Sequence, residues 1–433
     1  MNLAPSPPTA ADQGSSGALW EATAAEAPAT AALNETSSVD VLVIGGGYTG
    51  MSTALHLAEK GVNTAVLEAR TVGFGASGRN GGQVNPGFKL DPDDAEAQLG
   101  PKYAERSLAF SGSAPDVVFD LIAKHKIDCD AVRPGWLQPA HNEAAVRMLA
   151  RRVNAWAKRG IEMRMFDRDE TAKLLGTGVY HGCAFDPRGG SVQPLSYARG
   201  LARAAVATGA TVYENAPVSS LEWHDGGWVA RVRGHEVRAE RVVIATNGYT
   251  DDIVPSLRQT IIAANSFQIA TFPLDKTLAA NVLPEGHTAS DSRRIVLYFR
   301  KDRFNRIVIG GRGHFRDPQT AGEFSHLRQA LDRMFPQLRG LPMEFQWAGR
   351  VALTKDGLPH IHEPYPGMLV GLGYNGRGIA MATAMGKVFA DYLTTAENTL
   401  PFPVSPVSTI PFHQLQRVYL GAAIRWFMLR DAI

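Results

Sequence analysis

The stretch DVLVIGGGYTGMSTALHLAEKG, residues 40–61, decides the fold of this chain. Val41-Leu42-Val43-Ile44 is a short, unbroken apolar run, the pattern of a strand buried on both faces. It runs into Gly45, Gly47 and Gly50 at G-x-G-x-x-G spacing, and Met51 to Ala58 then reads as a helix that Gly61 ends. Asn63 to Glu68 supplies a second strand closing on an acid. Gly45 permits the tight turn, Gly47 lets the backbone approach a pyrophosphate, and Gly50 lets the helix pack closely on the strand. The free amides of the helix start suit a diphosphate. Glu68 can accept hydrogen bonds from ribose hydroxyls and disfavours a 2′-phosphate, so NADP is not expected. Strand, glycines, helix, strand and acid come in order within about thirty residues, which a phosphate-free glycine turn does not require. The ligand is read as a dinucleotide.

Outward from this unit, the 433 residues exceed the roughly 150 of an average domain, so one very large domain or two interleaved ones are expected. The 44 Lys plus Arg nearly balance 42 Asp plus Glu, and bulk charge does not point to nucleic acid. No apolar run approaches the roughly 20 residues of a membrane span. Cys129 and Cys183 are isolated, so neither a metal cluster nor a disulfide framework is encoded. The first basic residue is Lys60, which argues against secretory and organellar leaders and for a cytoplasmic location. Residues 1–36, rich in Ala, Ser, Thr and Pro, read as a disordered tail with Trp20 at most resting on the surface.

The segment after Glu68 separates FAD from NAD. Instead of another helix and strand of the same unit, the chain gives Gly75-Ala76-Ser77-Gly78-Arg79-Asn80-Gly81-Gly82-Gln83, backbone able to lie against something flat or charged. Two further buried strands end in polar, glycine-bearing turns: Val242-Val243-Ile244-Ala245-Thr246-Asn247-Gly248-Tyr249 and Met368 to Gly378. The second runs into a helix, Ile379 to Leu393, whose start can sit beside an anionic centre such as the edge of a reduced flavin. One Rossmann unit and two distant glycine turns fit one long cofactor held by discontinuous chain.

The set DVLVIGGGYTGMSTALHLAEKG, GASGRNGGQ, VVIATNGYT, YFR, IVIGG, TKDGLPHI and GLGYNGRG resembles the D-amino-acid-oxidase-like family of FAD-dependent oxidoreductases, from about Val39 to Leu393. Its nearest subgroup is the one containing γ-glutamylputrescine oxidase. The resemblance implies Gly45, Gly47, Tyr48, Thr49 and Gly50 at the pyrophosphate and Glu68 at the adenosine ribose. It further implies Val218 at the adenine and Ala76, Ser77, Asn80, Gly81, Gly82 and Gln83 along the flavin. Thr246 and Asn247 would bear on the cofactor from the middle strand, and Gly373, Tyr374, Asn375, Gly376, Arg377 and Gly378 would close over the pyrimidine edge. Some relatives attach flavin covalently through a histidine near the loop or a cysteine before the last motif. Neither is present here, so FAD is expected to be non-covalent.

The fold class expected is α/β: a discontinuous Rossmann-like FAD domain of residues 37–90, 150–253 and 345–395, and a mixed or antiparallel-sheet substrate domain of 91–149 and 254–344. Residues 396–433 would form an extension. Val218 to Trp223, Trp228 to Arg233 and Glu236 to Ala239 read as a meander before the strand at Val242, and Ile261 to Phe272, Ile295 to Phe299 and Arg306 to Gly310 as the substrate roof. Phe412 to Ile433 is amphipathic; docking on its own domain is the expected use, with a membrane surface as the alternative.

The activity expected is oxidation of a C–N bond. A hydride passes from the amine-bearing carbon to flavin N5, the imine hydrolyses, and oxygen or another acceptor takes the electrons. The cofactor carries the chemistry and the protein positions it, so no acid/base dyad is required. Substrate contacts are expected from Tyr249, Phe267, Gln268, Tyr298, Arg300, Arg303, Trp347, Arg350 and Lys355, the arginines as carboxylate clamps. Sarcosine-oxidase relatives carry an oxygen-activating lysine on the strand matching Ile307 to Gly310, and this chain has none there. A γ-glutamylated polyamine is the first substrate expected, and a cyclic or secondary amino acid such as pipecolate or sarcosine the second. A 2-hydroxy acid or a non-catalytic flavin subunit is a further alternative.

Overall fold

The computed structural model describes residues 17–395, 400–416 and 419–421. Ser37–Ile44 lies at the heart of an eight-stranded sheet. It pairs in parallel with Thr64–Leu67, from Val41↔Thr64 to Ile44↔Leu67, and in parallel with His235–Ile244, from Ser37↔Val237 to Ile44↔Ile244. Thr211–Tyr213 and Met368–Leu372 add parallel strands outside these, and His360–His362 closes one edge antiparallel. The unbroken apolar run is explained by two covered faces. Val41 and Val43 pack with the helices Tyr48–Glu59, Pro194–Thr208 and Gly378–Thr394, while Leu42 and Ile44 pack with Trp228 and Ala230 of the meander. Helices Tyr48–Glu59 and Gly378–Thr394 approach so closely that a Cβ on Gly386 would lie 2.7 Å from Thr49 O, and Ser52 Oγ donates to Thr383 O at 2.7 Å.

Two segments expected apart are one strand. Glu236 to Ala239 and the strand at Val242 form continuous His235–Ile244, because no glycine or proline interrupts 236–244. Its first half also pairs antiparallel with Gly227–Val232, from Val232↔His235 to Trp228↔Ala239.

The second sheet runs in the order Met343–Leu353, Ile262–Thr271, Ile307–Arg312, Tyr298–Lys301, Thr288–Ser290, Trp136–Pro139, Cys183–Asp186, Arg164–Phe166. Helix Ser325–Met334 covers its far face over Phe267, Ile269, Phe299 and Ile309. The expected domain boundaries need correction here. Arg164–Phe166, Cys183–Asp186 and most of Met343–Leu353 fall within the segments expected for the FAD domain, yet they pair in this sheet. Short strands with no long apolar run give no clue to which sheet they join.

The expected disordered tail also needs correction from residue 17 onward. Leu19–Thr23 is helical, Trp20 is 1% exposed, and it packs with Leu19, Leu195, Val308 and Trp347 in a core of its own. The segment then runs along helix Pro194–Thr208. Ala25 N donates to Ser196 Oγ at 2.9 Å, Arg199 Nη1 donates to Ala25 O at 2.6 Å, and Ala31 bridges in parallel to Tyr213. A single Leu-Trp pair supplies enough apolar surface to dock an otherwise polar stretch. The amphipathic reading of Phe412 to Ile433 falls mostly outside the described residues; within them, His413–Leu415 is a short 3₁₀ turn. No helix among the described residues is long and apolar enough to cross a membrane.

Candidate active site

The two sheets enclose a continuous cavity of about 1330 Å³, with Glu68 and Val218 lining one end and Trp136, Gln138 and Arg152 the other. At the first end the walls are backbone. Gly45 has φ +112°, and a Cβ there would lie 2.8 Å from Ala245 O; a Cβ on Gly50 would run into Gly45 O. Gly46 N donates to Glu68 Oε2 at 2.6 Å and Arg70 N to Glu68 Oε1 at 2.9 Å, while burial raises the Glu68 pKa. Side chains on Gly46 or Gly47 would meet Glu68 or Ser77 Oγ. This is a cradle that any Cβ would fill, at a helix N-terminus, ending on an acid, and it fits a dinucleotide.

The loop 75–83 forms the floor, and its side chains mostly serve the loop itself. Tyr48 N donates to Ser77 Oγ at 3.0 Å, and the buried Tyr48 phenol donates to Ser77 O at 2.6 Å. Asn80 Nδ2 donates to Tyr48 Oη, Ala76 O and Ser77 O, each at 3.0 Å, and Asn80 Oδ1 accepts from Gly82 N at 2.8 Å. Gln83 Nε2 donates to Ala289 O and Phe299 O of the roof. Three side chains from other segments pull the loop carbonyls back: Trp20 Nε1 donates to Asn80 O at 2.7 Å, Trp347 Nε1 to Arg79 O at 3.1 Å, and Gln268 Nε2 to Arg79 O. Two of the glycines answer to protein neighbours. A Cβ on Gly81 would lie 2.7 Å from the Tyr298 ring, and one on Gly82, at φ +70°, 2.5 Å from Arg300 Nη2.

The last turn is built alike. Gly373 N donates to Asn247 Oδ1 at 3.0 Å, Asn375 Oδ1 accepts from Thr354 N at 3.0 Å, and Tyr374 shares a 2.8 Å hydrogen bond with Thr49 Oγ1. That bond ties the two helix starts together. Thr246 Oγ1 pairs with Thr250 Oγ1 at 2.7 Å.

Of the expected cofactor residues, Gly45, Gly47, Tyr48, Thr49, Glu68, Ala76, Ser77, Asn80, Gly81, Gln83, Val218, Thr246, Asn247, Tyr374, Asn375, Gly376, Arg377 and Gly378 line this one cavity. Gly50, Gly82 and Gly373 do not; they are needed for packing behind it. Of the expected substrate contacts, Tyr249, Gln268, Tyr298, Trp347 and Arg350 line it, and four others need correction. Phe267 is 0% exposed and packs on Phe324 in the second core, because alternation along Ile262–Thr271 turns Ser266 and Gln268 inward and Phe267 away. Arg300 is buried behind the loop, with its guanidinium 4.8 Å over Trp20 and Nη2 donating to Val192 O at 2.9 Å; burial pushes it down to about 10. Arg303 pairs with Asp130 on the surface, and Lys355 lies outside the cavity lining.

The roof explains the strand without a lysine. Tyr298 Oη bonds Ser266 Oγ at 2.7 Å, and its ring occupies the space that a side chain on Gly310 would need. Apart from Arg377, sequence reasoning misses the far wall: Lys89, Trp136, Gln138, Arg152, Arg293 and Arg312 all line the cavity. Arg377 stacks 4.3 Å over Trp136, and burial with the nearby Arg152 charge pushes it down to about 9. Lys89 is lowered by burial, Arg377 and Arg312. No histidine or cysteine lines the cavity among the described residues.

The same architecture is found in known proteins. Residues 40–392 match the DAO family, described as FAD dependent oxidoreductase. The chain is 32% identical to the probable oxidoreductase OrdL of Rhizobium meliloti, covering 95% of this chain and 96% of that one. It is also 32% identical to the gamma-glutamylputrescine oxidoreductase of Escherichia coli, over 93% and 95% respectively. Among solved structures, glycine oxidase from Geobacillus kaustophilus superposes with a TM-score of 0.72 at 23% identity, covering 86% of this chain and 99% of that one.

Proposed function

The chain belongs to the DAO family of FAD-dependent oxidoreductases acting on amines and amino acids, and from that premise we propose that it oxidises a γ-glutamylated polyamine at its C–N bond. The observation that carries this reading is the single cavity joining a dinucleotide cradle to a wall of long cationic side chains. Overall likeness to the gamma-glutamylputrescine oxidoreductase supports the same substrate class.

In this reading the amides at Gly45 to Thr49 hold the pyrophosphate, Glu68 the ribose and Val218 the adenine. Loop 75–83, tied back by Trp20, Trp347 and Gln268, presents a fixed floor to the ring. FAD, when bound, supplies the acceptor for the hydride leaving the amine-bearing carbon. Tyr298, Ser266, Gln268 and Trp347 form the roof that excludes water and limits how the amine can lie. Gln268 Oε1 and Asn85 Oδ1, buried acceptors with no donor among the described residues, belong to side chains of this site. No cysteine or histidine among the described residues lines the cavity, and in this reading the cofactor is held without a covalent bond.

Product analysis tests the proposal. Purified protein loaded with FAD and given γ-glutamylputrescine in air is expected to release one equivalent of ammonia and an aldehyde, trapped as a hydrazone. Turnover of pipecolate or sarcosine with no turnover of γ-glutamylputrescine would replace the substrate class. Absence of turnover with every amine, in the presence of artificial electron acceptors, would contradict the enzymatic reading.

A further inference from the structure

The carboxylates near the far wall are already engaged. Asp91 pairs with Arg152, Asp186 with Arg188, Asp291 with Arg293, and Asp317 with Arg350. Lys89, Arg312 and Arg377 have no ion pair and no side-chain hydrogen bond among the described residues, although all three line the cavity. Arg312 packs 4.7 Å over Phe315 and Arg377 over Trp136, so their contacts within the protein are to aromatic faces. The wall behind them offers further donors: Trp136 and Gln138 are each 3% exposed, and Trp136 Nε1 and Gln138 Nε2 have no acceptor. Gln138 cannot exchange its amide ends without loss, because Oε1 accepts from Arg152 Nη1. No carboxylate acts on Lys89 or Arg312, and Arg377 feels only Asp186, itself paired with Arg188, so an anion joining the three offsets the cost of burying them.

The place of Arg312 in the second sheet sets it apart from the flavin floor. Gln268, which holds Arg79 O of the loop, lies opposite Gly310, and Arg312 lies opposite Ser266. Arg312 is therefore one same-face step, about 7 Å, beyond the contact with the loop. Lys89 comes after the loop in the chain and reaches the same region, where Arg312 and Arg377 both depress its affinity for a proton.

We propose that Lys89 and Arg312, with Arg377 beside them, form a subsite for a carboxylate at the end of the substrate remote from the amine being oxidised. This rests on the amine-oxidation reading above and adds which end of the substrate is recognised, and by which residues. A plain diamine brings these cations no anion, whereas an amine with a distal carboxylate does.

The test compares γ-glutamylputrescine with 4-aminobutanoylputrescine, which lacks only the carboxylate, and adds glutarate as an amine-free probe. Binding to the FAD-loaded protein is followed by perturbation of the flavin absorption, in wild type, Lys89→Met and Arg312→Met. Retained flavin absorbance and far-ultraviolet circular dichroism establish that each variant is folded. The wild type is expected to bind the carboxylate-free analogue roughly 10- to 100-fold more weakly than γ-glutamylputrescine, with the gap falling to a few-fold in either variant. Glutarate is expected to bind the wild type and to be lost from both variants. If γ-glutamylputrescine reduces the flavin but the analogue binds equally well and glutarate does not bind, the subsite is refuted and amine oxidation stands. If glutarate binds and is lost from the variants while no amine reduces the flavin, the subsite stands and the amine reading fails. Equal carboxylate discrimination in wild type and variants refutes the role of Lys89 and Arg312.

Discussion

The two ends of the cavity are built on opposite principles. The cradle from Gly45 to Glu68 is backbone and small residues, where an added Cβ meets protein at Gly45, Gly46, Gly47 and Gly50. The far wall is long side chains, with Lys89, Arg152, Arg312 and Arg377 arriving from four separated segments. Backbone recognition tolerates almost no substitution and writes itself as glycine at fixed spacing. Side-chain recognition can be assembled from any position that reaches, and it leaves no spacing to read.

The largest expected effect is at the cradle. Gly50→Val should yield protein that does not retain FAD, because the new side chain runs into Gly45 O and separates helix from strand. The ratio of flavin to protein absorbance after gel filtration checks it, and a normally yellow variant would contradict the close approach.

Trp20→Ala should come next, destabilising the protein by about 3–5 kcal/mol through loss of a buried aromatic side chain. It also removes the bond to Asn80 O, so FAD affinity should fall with it. Urea unfolding and a fluorescence titration of the apoprotein with FAD read the two effects separately. Weakened flavin binding in a fully stable variant would still place the segment in the cradle, whereas no change in either would return residues 17–25 to the role of a tail.

These cases show how much is legible in the sequence. The cradle, its order and most of its residues can be read because strand, glycine spacing and terminal acid each answer to a backbone constraint. Trp20 escapes such a reading because one Leu-Trp pair is diluted by the Ala, Ser, Thr and Pro around it. Phe267 is misplaced because a strand's period of two reverses the facing of neighbouring residues, and sequence alone does not say which face meets the cavity. Lys89 is invisible: it lies in Asn85-Pro86-Gly87-Phe88-Lys89-Leu90, a stretch with no helical or strand period. The strands Arg164–Phe166 and Cys183–Asp186 go to the wrong sheet for the same lack of pattern.

At the far wall, a smaller effect comes from charge. Burial, Arg377 and Arg312 lower the Lys89 pKa, so its charge is lost at a pH below the ordinary lysine range. Glutarate binding needs that charge, so the dissociation constant should rise with pH before the ordinary lysine range is reached. Arg312 and Arg377 face Lys89 as well, with Arg377 pushed down to about 9, so Lys89→Arg, which keeps a cation there, should move the rise to higher pH without abolishing it. A profile unchanged by that variant would assign the titration elsewhere.

The smallest effect separates adjacent residues of one strand. Phe267→Leu should lower thermal stability and leave kcat/KM within about twofold, because its side chain belongs to the second core. Gln268→Ala should weaken FAD retention by releasing Arg79 O. A reversed pattern would place the wrong face of Ile262–Thr271 toward the cavity.

The most direct test of a flavin cradle joined to an amine site is the visible spectrum of the purified protein under anaerobic conditions, titrated with γ-glutamylputrescine, pipecolate, sarcosine and a 2-hydroxy acid. The expected result is a flavin spectrum that an amine bleaches and the 2-hydroxy acid leaves intact, with readmitted air then showing whether oxygen restores it. Bleaching by the 2-hydroxy acid alone, or a colourless protein that FAD cannot reconstitute, would contradict it.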